Sequence, residues 1–333
     1  MANCLVTGGA GFIGSHLVDE LVRDGHSVRV VDNLSTGSLE NLEAVKDRIE
    51  FVEGDICNPG LLRRLSRDVE IVFHLAAFTS VARSVDDPIE AHRVCATGTM
   101  QVLSAALECN VRRVVYASSS SVYGAPLGVA QQENAATAPI SPYAVAKLVG
   151  EQYCRLFSNA YGLETVVLRY FPVFGPRQRA GGPYGGMIPQ FIDAMLDGDR
   201  PILFGDGTQS QDFTFVGDTV RATRLAAFAS AAVGRVFNIG SGYSNSLVDL
   251  VADLNVILGS AIVPGFVAPR LVDFLQGPAD TAHARSELKY EPITNFADGL
   301  RQCVDYHRRR RRAISLPELP LPKSFSSECL VTC

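Results

Sequence analysis

Short apolar runs rich in β-branched residues alternate with longer helical patterns through the first half of the chain. The predicted strands are residues 4–7, 27–32, 50–53, 70–75, 113–117 and 164–169. The predicted helices of this half are residues 16–23, 88–108 and 143–160. Strands and helices that alternate at this spacing indicate βαβ units, and therefore a parallel sheet covered by helices on both faces.

The pattern changes after residue 171. Residues 175–187, GPRQRAGGPYGGM, are rich in glycine, proline and arginine and predict a loop over a site. A helix at 189–196 follows, and later elements are short, although VFNIG at 236–240 is predicted to return to the main sheet as a strand. We therefore expect an α/β protein with a doubly wound parallel sheet and a smaller, mixed C-terminal domain.

Composition and charge narrow the class of protein. The 333 residues are 47% hydrophobic and 20% charged, which suits a sizeable core and excludes a disordered chain. A net charge of −5 argues against a nucleic-acid partner. The eight cysteines are scattered without a CxxC pair, which predicts reduced thiols and no metal site. No signal-like N-terminus or membrane-length apolar run is present, so we expect a cytoplasmic protein without a membrane partner.

The segment TGGAGFIG, residues 7–14, follows the first predicted strand directly and opens a helix. Gly8 permits a tight turn, Gly11 lets the backbone approach a pyrophosphate, and Gly14 lets the helix lie close to the sheet. The helix N-terminus adds free N–H groups for phosphates. Asp32 ends the second strand, where a carboxylate binds a ribose diol and repels a 2′-phosphate. These features predict a Rossmann dinucleotide site that prefers NAD to NADP.

The segment SPYAVAK, residues 141–147, places Tyr143 and Lys147 four residues apart on one helix face. A phenol has a pKa of about 10, but a nearby cation favours phenolate, and an oxidised nicotinamide adds positive charge. Such a tyrosine can remove a proton from a sugar or alcohol hydroxyl. Spacing alone would favour two polar residues on a solvated helix. The serines at 118–121, at the carboxyl end of a predicted strand, favour a site instead.

Several motifs, in order and at matching spacing, resemble the extended short-chain dehydrogenase/reductases. They are TGGAGFIG, VVDNLSTG, GDI at 54–56, HLAA at 74–77, SSSSVYG at 118–124, SPYAVAK and RYFPVFGPRQ. Over residues 2 to about 307 the chain is most similar to nucleotide-sugar 4-epimerases of the UDP-glucose and UDP-N-acetylglucosamine type. The resemblance implies an NAD-dependent isomerase that oxidises C4 of a UDP-sugar transiently to a 4-keto sugar and returns hydride to the other face.

The resemblance also implies roles for individual residues. Tyr143 would be the catalytic base, Lys147 its electrostatic partner and nicotinamide-ribose ligand, and Ser119 the hydroxyl that shares the proton path. The implied cofactor contacts are Gly8, Gly11, Phe12, Ile13, Gly14, Asp32, Asn33, Asp55, Ile56, Leu75, Ala76, Ala77, Tyr143, Lys147 and Tyr170. The implied substrate contacts are Thr79, Ser80, Ser120, Ser121, Met187, Phe204, Gln211, Arg270, Asp273 and Gly277.

Three of these positions bear on specificity. Relatives that dehydrate nucleotide sugars carry an acidic pair where this chain has Ser120 and Ser121, so elimination of water would lack its acid and base. Some relatives exclude N-acetyl sugars with a bulky tyrosine at the position that resembles Gly277. A glycine there predicts room for an N-acetylated substrate.

The chain departs from the family pattern at four positions. Pro172 replaces an asparagine that usually contacts the substrate phosphate, and proline has neither a side-chain amide nor an N–H. Gln211 and Leu275 replace arginines, and Cys95 replaces an asparagine in VCATGT. Two lost charge-assisted bonds could each cost roughly 1.5–3 kcal/mol. The binding of a nucleotide sugar is therefore expected to be weaker than in the family, or altered.

Two other functions stay open. One is an NAD-dependent oxidoreductase or epimerase that acts on a different activated sugar, and the other is a non-catalytic NAD-binding protein. Net production of NADH would indicate a dehydrogenase, and NAD binding without turnover would indicate a sensor or scaffold.

The expected domains are an NAD-binding domain at 1–170, a substrate-binding domain at 171–312 and a flexible tail at 313–333. The five arginines at 308–312 predict a solvated helix C-terminus. Helices 88–108 and 143–160 resemble those that pair across the family's dimer, so a homodimer is expected.

Overall fold

The computed structural model describes residues 1–125, 129–180, 186–268 and 277–315, with side chains up to residue 312. Its strands are β1 (Asn3–Thr7), β2 (Ser27–Asp32), β3 (Ile49–Glu53), β4 (Ile71–His74), β5 (Arg113–Ser119), β6 (Glu164–Tyr170), β7 (Val173–Phe174), β8 (Ile202–Phe204), β9 (Ser210–Gln211), β10 (Thr214–Phe215), β11 (Val236–Ile239), β12 (Asn245–Ser246) and β13 (Gly265–Val267).

The α-helices are α1 (Phe12–Arg23), α2 (Pro59–Leu65), α3 (Val81–Asp86), α4 (Pro88–His92), α5 (Gly98–Glu108), α6 (Pro142–Tyr161), α7 (Met187–Leu196), α8 (Val216–Phe228), α9 (Leu247–Leu258), α10 (Ala282–Leu288) and α11 (Phe296–Ser315). The 3₁₀-helices are Leu39–Arg48, Ser120–Tyr123 and Ser230–Ala232. The helix predicted at 88–108 is interrupted, because a π-helical turn, Arg93–Thr97, separates α4 from α5.

Seven strands form one parallel sheet in the order β11-β6-β5-β4-β1-β2-β3. β1 pairs with β2 on one side and with β4 on the other, so that Thr7 lies between Val31 and His74. The direction of winding reverses here, and ligands of open α/β sheets bind at the carboxyl ends of strands beside such a switch. The predicted fold class, a Rossmann doubly wound sheet, is confirmed.

Both faces of this sheet are buried, which explains why its strands are apolar without alternation. Val6 and Phe73 point into the cluster that contains residues of α1 and α8. Leu5 and Val72, their neighbours in sequence, point into the cluster that contains residues of α2, α5 and α6. The helix carrying the tyrosine and the lysine is thereby packed firmly on one face of the sheet.

Beyond β6 the chain forms small two-stranded sheets, β7 with β10, β9 with β12 and β8 with β13. Residues of α7, α9 and α11 build a third cluster beside them. β11 pairs in parallel with β6 in the main sheet, so the two expected domains interleave in sequence. Their division at residue 170 stays a prediction. Within the described ranges the six cysteines are free thiols, and no helix is both long and apolar enough to cross a membrane.

The arginine run at 308–312 lies in the last part of α11 and contacts the end of α7. Arg311 reaches the carboxylate of Asp197 at 2.6 and 3.0 Å, and both Arg311 and His307 contact Asp193. Arg309 and Arg310 are exposed. The run is thus a helix C-terminus that is solvated on one side and paired on the other. The helix continues to Ser315, three residues into the predicted tail, and residues 316–333 lie outside the described ranges.

Candidate active site

The glycine-rich turn after β1 is tight on its sheet side and open on the other. Gly8 has a φ of +72°, and its N–H donates to Val31 O at 2.8 Å. A Cβ on Gly14 would lie 2.1 Å from Gly8 O, so only glycine lets α1 start so close to the turn. A Cβ on Gly11, the N-cap of α1, would meet just Gly8 O at 3.2 Å among the described residues. The half-buried Phe12 and Ile13 begin the helix.

Asp32 ties this turn to the end of β2. Its carboxylate accepts the N–H of Ala10 at 3.0 Å and the N–H of Leu34 at 2.8 Å. Burial raises the pKa of Asp32, while these N–H groups and that of Gly11 oppose the rise. Asn33 beside it is exposed. The predicted ribose-binding carboxylate therefore lies against the predicted phosphate-binding turn.

The segment after β4 lies against the same turn. Ala76 N donates to Thr7 Oγ1 at 3.2 Å, and a Cβ on Gly8 would fall 2.7 Å from Ala76 N. Leu75 and Ala77 flank this contact and are half-buried. The structure thus brings residues 75–77, which were predicted from HLAA, against the glycine turn at the switch point.

Three other predicted cofactor residues are committed to protein contacts. The carboxylate of Asp55 accepts Cys57 N at 2.8 Å and the Arg93 guanidinium at 2.9 Å; although burial opposes it, these donors lower the pKa of Asp55. Ile56 is buried in the second cluster. The Tyr170 hydroxyl hydrogen-bonds Thr223 Oγ1 at 2.7 Å, so its phenol points into the core.

His74, at the end of β4, connects the end of β1 to the start of α5. Thr7 Oγ1 lies 2.8 Å from its Nδ1, and Thr99 Oγ1 lies 3.0 Å from its Nε2. Thr99 donates its own proton to Cys95 O, so it accepts from Nε2–H, and Thr7 donates to Nδ1. Burial, with the charge of Lys147 adding to it, lowers the pKa of His74 to about 3.

The neutral state of His74 predicts a pH-dependent stability. The unfolded chain protonates this histidine below about pH 6.5 whereas the folded chain does not, so its contribution is full above that pH and is lost toward pH 3. Between pH 7 and 5 the wild type should lose about 2 kcal/mol of unfolding free energy more than a His74→Gln variant. Urea unfolding at both pH values measures this. His92→Gln, at an exposed histidine, should keep the wild-type dependence, and equal losses in all three proteins would refute the assignment.

Tyr143, Lys147 and Ser119 meet where β5 ends. The Ser119 hydroxyl hydrogen-bonds the Tyr143 phenol. Lys147 Nζ donates to Ala117 O at 2.7 Å and lies 5.8 Å from the centre of the Tyr143 ring. Lys147 is 2% exposed, so its ammonium is held inside the protein, over the Tyr143 ring. The three residues predicted to be catalytic are therefore brought together.

Protein groups alone hold the Tyr143 phenol in its protonated form. Burial raises its pKa well above the usual range, the neighbouring Cys95 adds to the rise, and the Ser119 hydrogen bond opposes it. Burial also lowers the pKa of Lys147, against the effect of Cys95, Cys154 and Glu151. The sequence-based expectation that Lys147 favours the Tyr143 phenolate stays a prediction, and burial of the phenol acts in the opposite direction.

The predicted substrate residues lie at several edges of the same region. Ser121 Oγ donates to Ser119 Oγ at 2.9 Å, and Ser120 is buried. Thr79 is exposed, and Ser80 caps α3 by accepting Arg83 N at 3.1 Å.

The remaining substrate residues are farther along the chain. Met187 begins α7 and Phe204 ends β8, and both are half-buried. Gln211 lies in β9 and pairs with Asn245 of β12. The predicted ligands Arg270 and Asp273, like the substituted Leu275, lie outside the described residues.

Gly277 has a different environment from the one expected. A Cβ at this position would fall 2.0 Å from the carbonyl O of Val129, and just beyond it Gln131 N donates to Pro278 O. The glycine therefore allows two backbone segments to approach, and the space at its Cα is filled by protein. The expectation that this glycine opens room for an N-acetyl group is not supported, and a tyrosine here would displace the segment at 129–131.

Sequence reasoning missed two contacts that surround the site. Arg93 in the π-helical turn bridges Asp55 and Glu90. Glu151, eight residues after Tyr143 on α6, forms a buried ion pair with Arg169. The spacing of four residues from Tyr143 to Lys147 and again to Glu151 was the available signal for the second.

Comparison with known proteins places the chain in a family. Residues 4–240 match the NAD dependent epimerase/dehydratase family. The chain belongs to this family. It is 39% identical over 310 residues to the UDP-glucose 4-epimerase of Mycolicibacterium smegmatis, covering 92% of this chain and 98% of that protein. It is 34% identical to a UDP-N-acetyl-alpha-D-glucosaminuronate decarboxylase of Bacillus cytotoxicus, covering 92% and 97%. A UDP-glucose 4-epimerase structure from Thermotoga maritima, with UDP-glucose, aligns at TM-score 0.89 and 37% identity over 93% of this chain and 99% of that one.

This epimerase/dehydratase chain is an NAD-dependent enzyme, and its residues fit the cofactor. The cradle formed by Gly8, Gly11 and Gly14 opens at a helix N-terminus, which suits a diphosphate. Asp32 beside it suits the adenosine ribose. Lys147 and Tyr143 lie on α6 at the carboxyl end of β5, in the same sheet as the turn.

Proposed function

We propose that this enzyme is a nucleotide-sugar 4-epimerase that acts on UDP-glucose and UDP-galactose or on their N-acetylated counterparts. The meeting of Tyr143, Lys147 and Ser119 at the end of β5 carries the proposal, because it supplies a phenol, a buried ammonium and a hydroxyl at one place. Identity of 39% to a UDP-glucose 4-epimerase over nearly its whole length supports it.

In the proposed reaction Tyr143 accepts the proton of the C4 hydroxyl and later returns it. Ser119, which hydrogen-bonds the phenol, holds the substrate oxygen and shares this proton. Lys147 supplies a fixed positive charge beside the ring. NAD, when bound, would supply the acceptor and then the donor of the C4 hydride, and its positive nicotinamide would favour the phenolate. The reaction is redox-neutral overall.

Dehydration of the sugar is disfavoured by the side chains near the phenol. Ser120 and Ser121 offer hydroxyls where an elimination needs a carboxylic acid and a carboxylate. The buried carboxylate of Glu151 is fully engaged, because Arg169 binds both of its oxygens. The dehydratase activity of relatives is therefore not the first choice for this chain.

A second candidate is a related reaction on a different activated sugar. The carbonyl of Pro172 accepts Thr214 N at 2.8 Å and so joins β7 to β10, without an amide to offer a phosphate. Gln211, in place of an arginine, is a neutral member of β9. These two positions favour a substrate whose anionic group is held elsewhere or less tightly.

The proposal includes a homodimer. Ile89 on α4 is 82% exposed, and Val145 and Leu156 on α6 are 46% and 48% exposed, although both helices are otherwise well packed. Apolar side chains grouped on neighbouring helices are typical of protein interfaces.

The double variant Val145→Glu, Leu156→Glu is expected to convert a dimer into a monomer, because it places carboxylates in an apolar interface. Sedimentation velocity measures the change. Val256→Glu on α9, where the valine is 79% exposed, is the matched control and should stay dimeric. A double variant with the wild-type sedimentation coefficient would contradict this part of the proposal.

Proton NMR of the purified enzyme with NAD tests the activity. UDP-glucose, UDP-galactose, UDP-N-acetylglucosamine and UDP-N-acetylgalactosamine are supplied in turn, and the anomeric signals are followed. A new signal from the 4-epimer would support the proposal and identify the sugar. No new signal with any of the four, while NAD is shown to be bound, would contradict it and favour the second candidate.

A further inference from the structure

Three consecutive residues at the end of β5 contact three residues that are spaced by four along α6. The pairs are Ala117 with Lys147, Ser118 with Glu151 and Ser119 with Tyr143. A spacing of four places the α6 residues on one helix face, so one strand end holds that face in register. The proposed reaction uses the first and the last of these contacts for chemistry and leaves the middle one unexplained.

The middle contact is a buried, charged and fully bonded group. Glu151 is 4% exposed; it accepts Ser118 Oγ–H at 2.5 Å, and its two oxygens accept hydrogen bonds from Arg169 Nε and Nη2 at 2.9 and 2.7 Å. Arg169 also donates to Glu133 O at 3.1 Å and lies 4.7 Å from the centre of the Tyr123 ring. A bidentate pair of this kind keeps both charges in place in the interior.

Several groups near α6 are coupled to the proton equilibria of Tyr143 and Lys147. Cys95 in the π-helical turn influences both residues, Ser119 on β5 influences Tyr143, and Glu151 and Cys154 on α6 influence Lys147. His74 on β4 is coupled to Lys147, Tyr116 on β5 is coupled to Tyr143, and Arg169 on β6 is joined to this set by its ion pair with Glu151. Within the described residues, Glu151 and Arg169 are the members of this set that carry a fixed charge besides Lys147. The charged or titratable residues of α3 and α4, which also pack on α6, lie toward solvent: Arg83, Asp86 and His92 are exposed and Glu90 is half-buried.

We propose that Glu151 is a positioning residue for the Tyr143–Lys147 pair. Glu151 ties their helix face to the end of β5, and its ion pair with Arg169 sets the fixed charge near Tyr143 and Lys147. The inference rests on the proposed function, in which Tyr143 exchanges a proton with the substrate. It extends the motif from two residues to three, spaced by four.

Breaking the ion pair changes the charge near Tyr143, and this effect distinguishes the proposal from a loss of packing. Replacing Glu151 by glutamine leaves Arg169 unbalanced, which makes the interior more positive and favours the Tyr143 phenolate. Replacing Arg169 by glutamine leaves Glu151 unbalanced, which makes it more negative and favours the phenol. One charge about 12 Å away, two helical turns along, shifts a proton equilibrium by roughly one pH unit at an effective dielectric constant of about 20. The two shifts have opposite signs.

The test is a pH titration of Tyr143 in the NAD-loaded protein, read as the ultraviolet difference absorbance of phenolate against the same protein carrying Tyr143→Phe. Glu151→Gln should move the midpoint to lower pH by roughly one unit, and Arg169→Gln should move it to higher pH by a similar amount. The double variant should return near the wild-type midpoint. Unchanged midpoints, or shifts in the same direction, would overturn the proposal.

A matched control lies at the other end of the same two strands. Glu164 on β6 pairs with the buried Arg113 on β5 at 2.8 Å, so Glu164→Gln also breaks an ion pair of a buried arginine, but at the opposite end of α6. It should leave the midpoint unchanged. If a single variant at 151 or 169 does not fold, Ser118→Ala keeps the pair and removes one donor to Glu151. It should give a smaller shift to higher pH, and no shift would count against the proposal.

This readout needs no sugar, so it separates the two hypotheses. If no sugar is turned over but the midpoints move in opposite directions, the proposed function fails and the role of Glu151 stands. If sugars are epimerised but the midpoints do not move, the proposed function stands and the role of Glu151 fails. Where turnover is found, the pH profile of kcat should move with the same signs as the midpoints.

Discussion

Replacing Tyr143 by phenylalanine is expected to lower kcat for epimerisation by a factor of about 10²–10⁴, the usual contribution of a positioned acid–base group. The substitution removes one oxygen from a half-buried ring that packs beside Ala77 and Phe78, so the fold and the glycine turn should be unaffected. NAD should bind within a few-fold of wild-type affinity. Anomeric NMR signals with whichever UDP-sugar is turned over measure the rate, and calorimetric titration with NAD measures the binding.

Tyr161→Phe is the matched control, because Tyr161 lies on the same helix but is 57% exposed at its far end. It should retain the wild-type rate. A Tyr143→Phe variant that epimerises at more than about a tenth of the wild-type rate would show that another group moves the proton, and Ser119 would then be the first residue to replace.

Replacing Gly14 by alanine is expected to abolish tight NAD binding. The new Cβ would lie 2.1 Å from Gly8 O and 2.8 Å from Gly9 Cα, so backbone must move, and the start of α1 is forced off the turn. Overpacking of this kind costs about 1–3 kcal/mol of strain. Each 1.4 kcal/mol of that strain that is present in the NAD-bound protein weakens binding about tenfold. Calorimetric titration with NAD, together with the melting temperature, measures both consequences.

Gly60→Ala on α2 controls for the substitution itself. A Cβ there meets just the side-chain oxygen of Asn58, at 3.5 Å, among the described residues. Its affinity for NAD should equal that of the wild type. If Gly14→Ala also bound NAD normally, the diphosphate would have to lie away from the start of α1, and the assignment of the cofactor cradle would be wrong.

Local patterns gave reliable predictions where local sterics decide the structure. The strand at 27–32 was predicted with its observed bounds, and Gly8, Gly14 and Asp32 lie together as the glycine motif required. Tyr143 and Lys147 share a helix face because helical spacing fixes it, and the serines that end β5 meet them there. These features depend on residues a few positions apart.

Contacts between distant residues could not be predicted in the same way. Arg169 and Glu151 are 18 residues apart and meet because β6 lies beside β5 under α6, which depends on strand order. The bond from Thr7 to His74 needs β1 next to β4. The need for glycine at position 277 comes from the close approach of the Val129 backbone, which no local sequence pattern predicts. The state of the Tyr143 phenol depends on burial, a property of the whole fold.

The most direct measurement is the fate of deuterium at C4 of the sugar. UDP-glucose and UDP-N-acetylglucosamine, each deuterated at C4, are incubated with the NAD-loaded enzyme in ordinary water, and the product is analysed by NMR and mass spectrometry. Transient oxidation at C4, with the pair Tyr143 and Ser119 handling only the hydroxyl proton, predicts a 4-epimer that keeps its deuterium. A 4-epimer that has lost deuterium to water, or a product that has lost a molecule of water, would contradict the account.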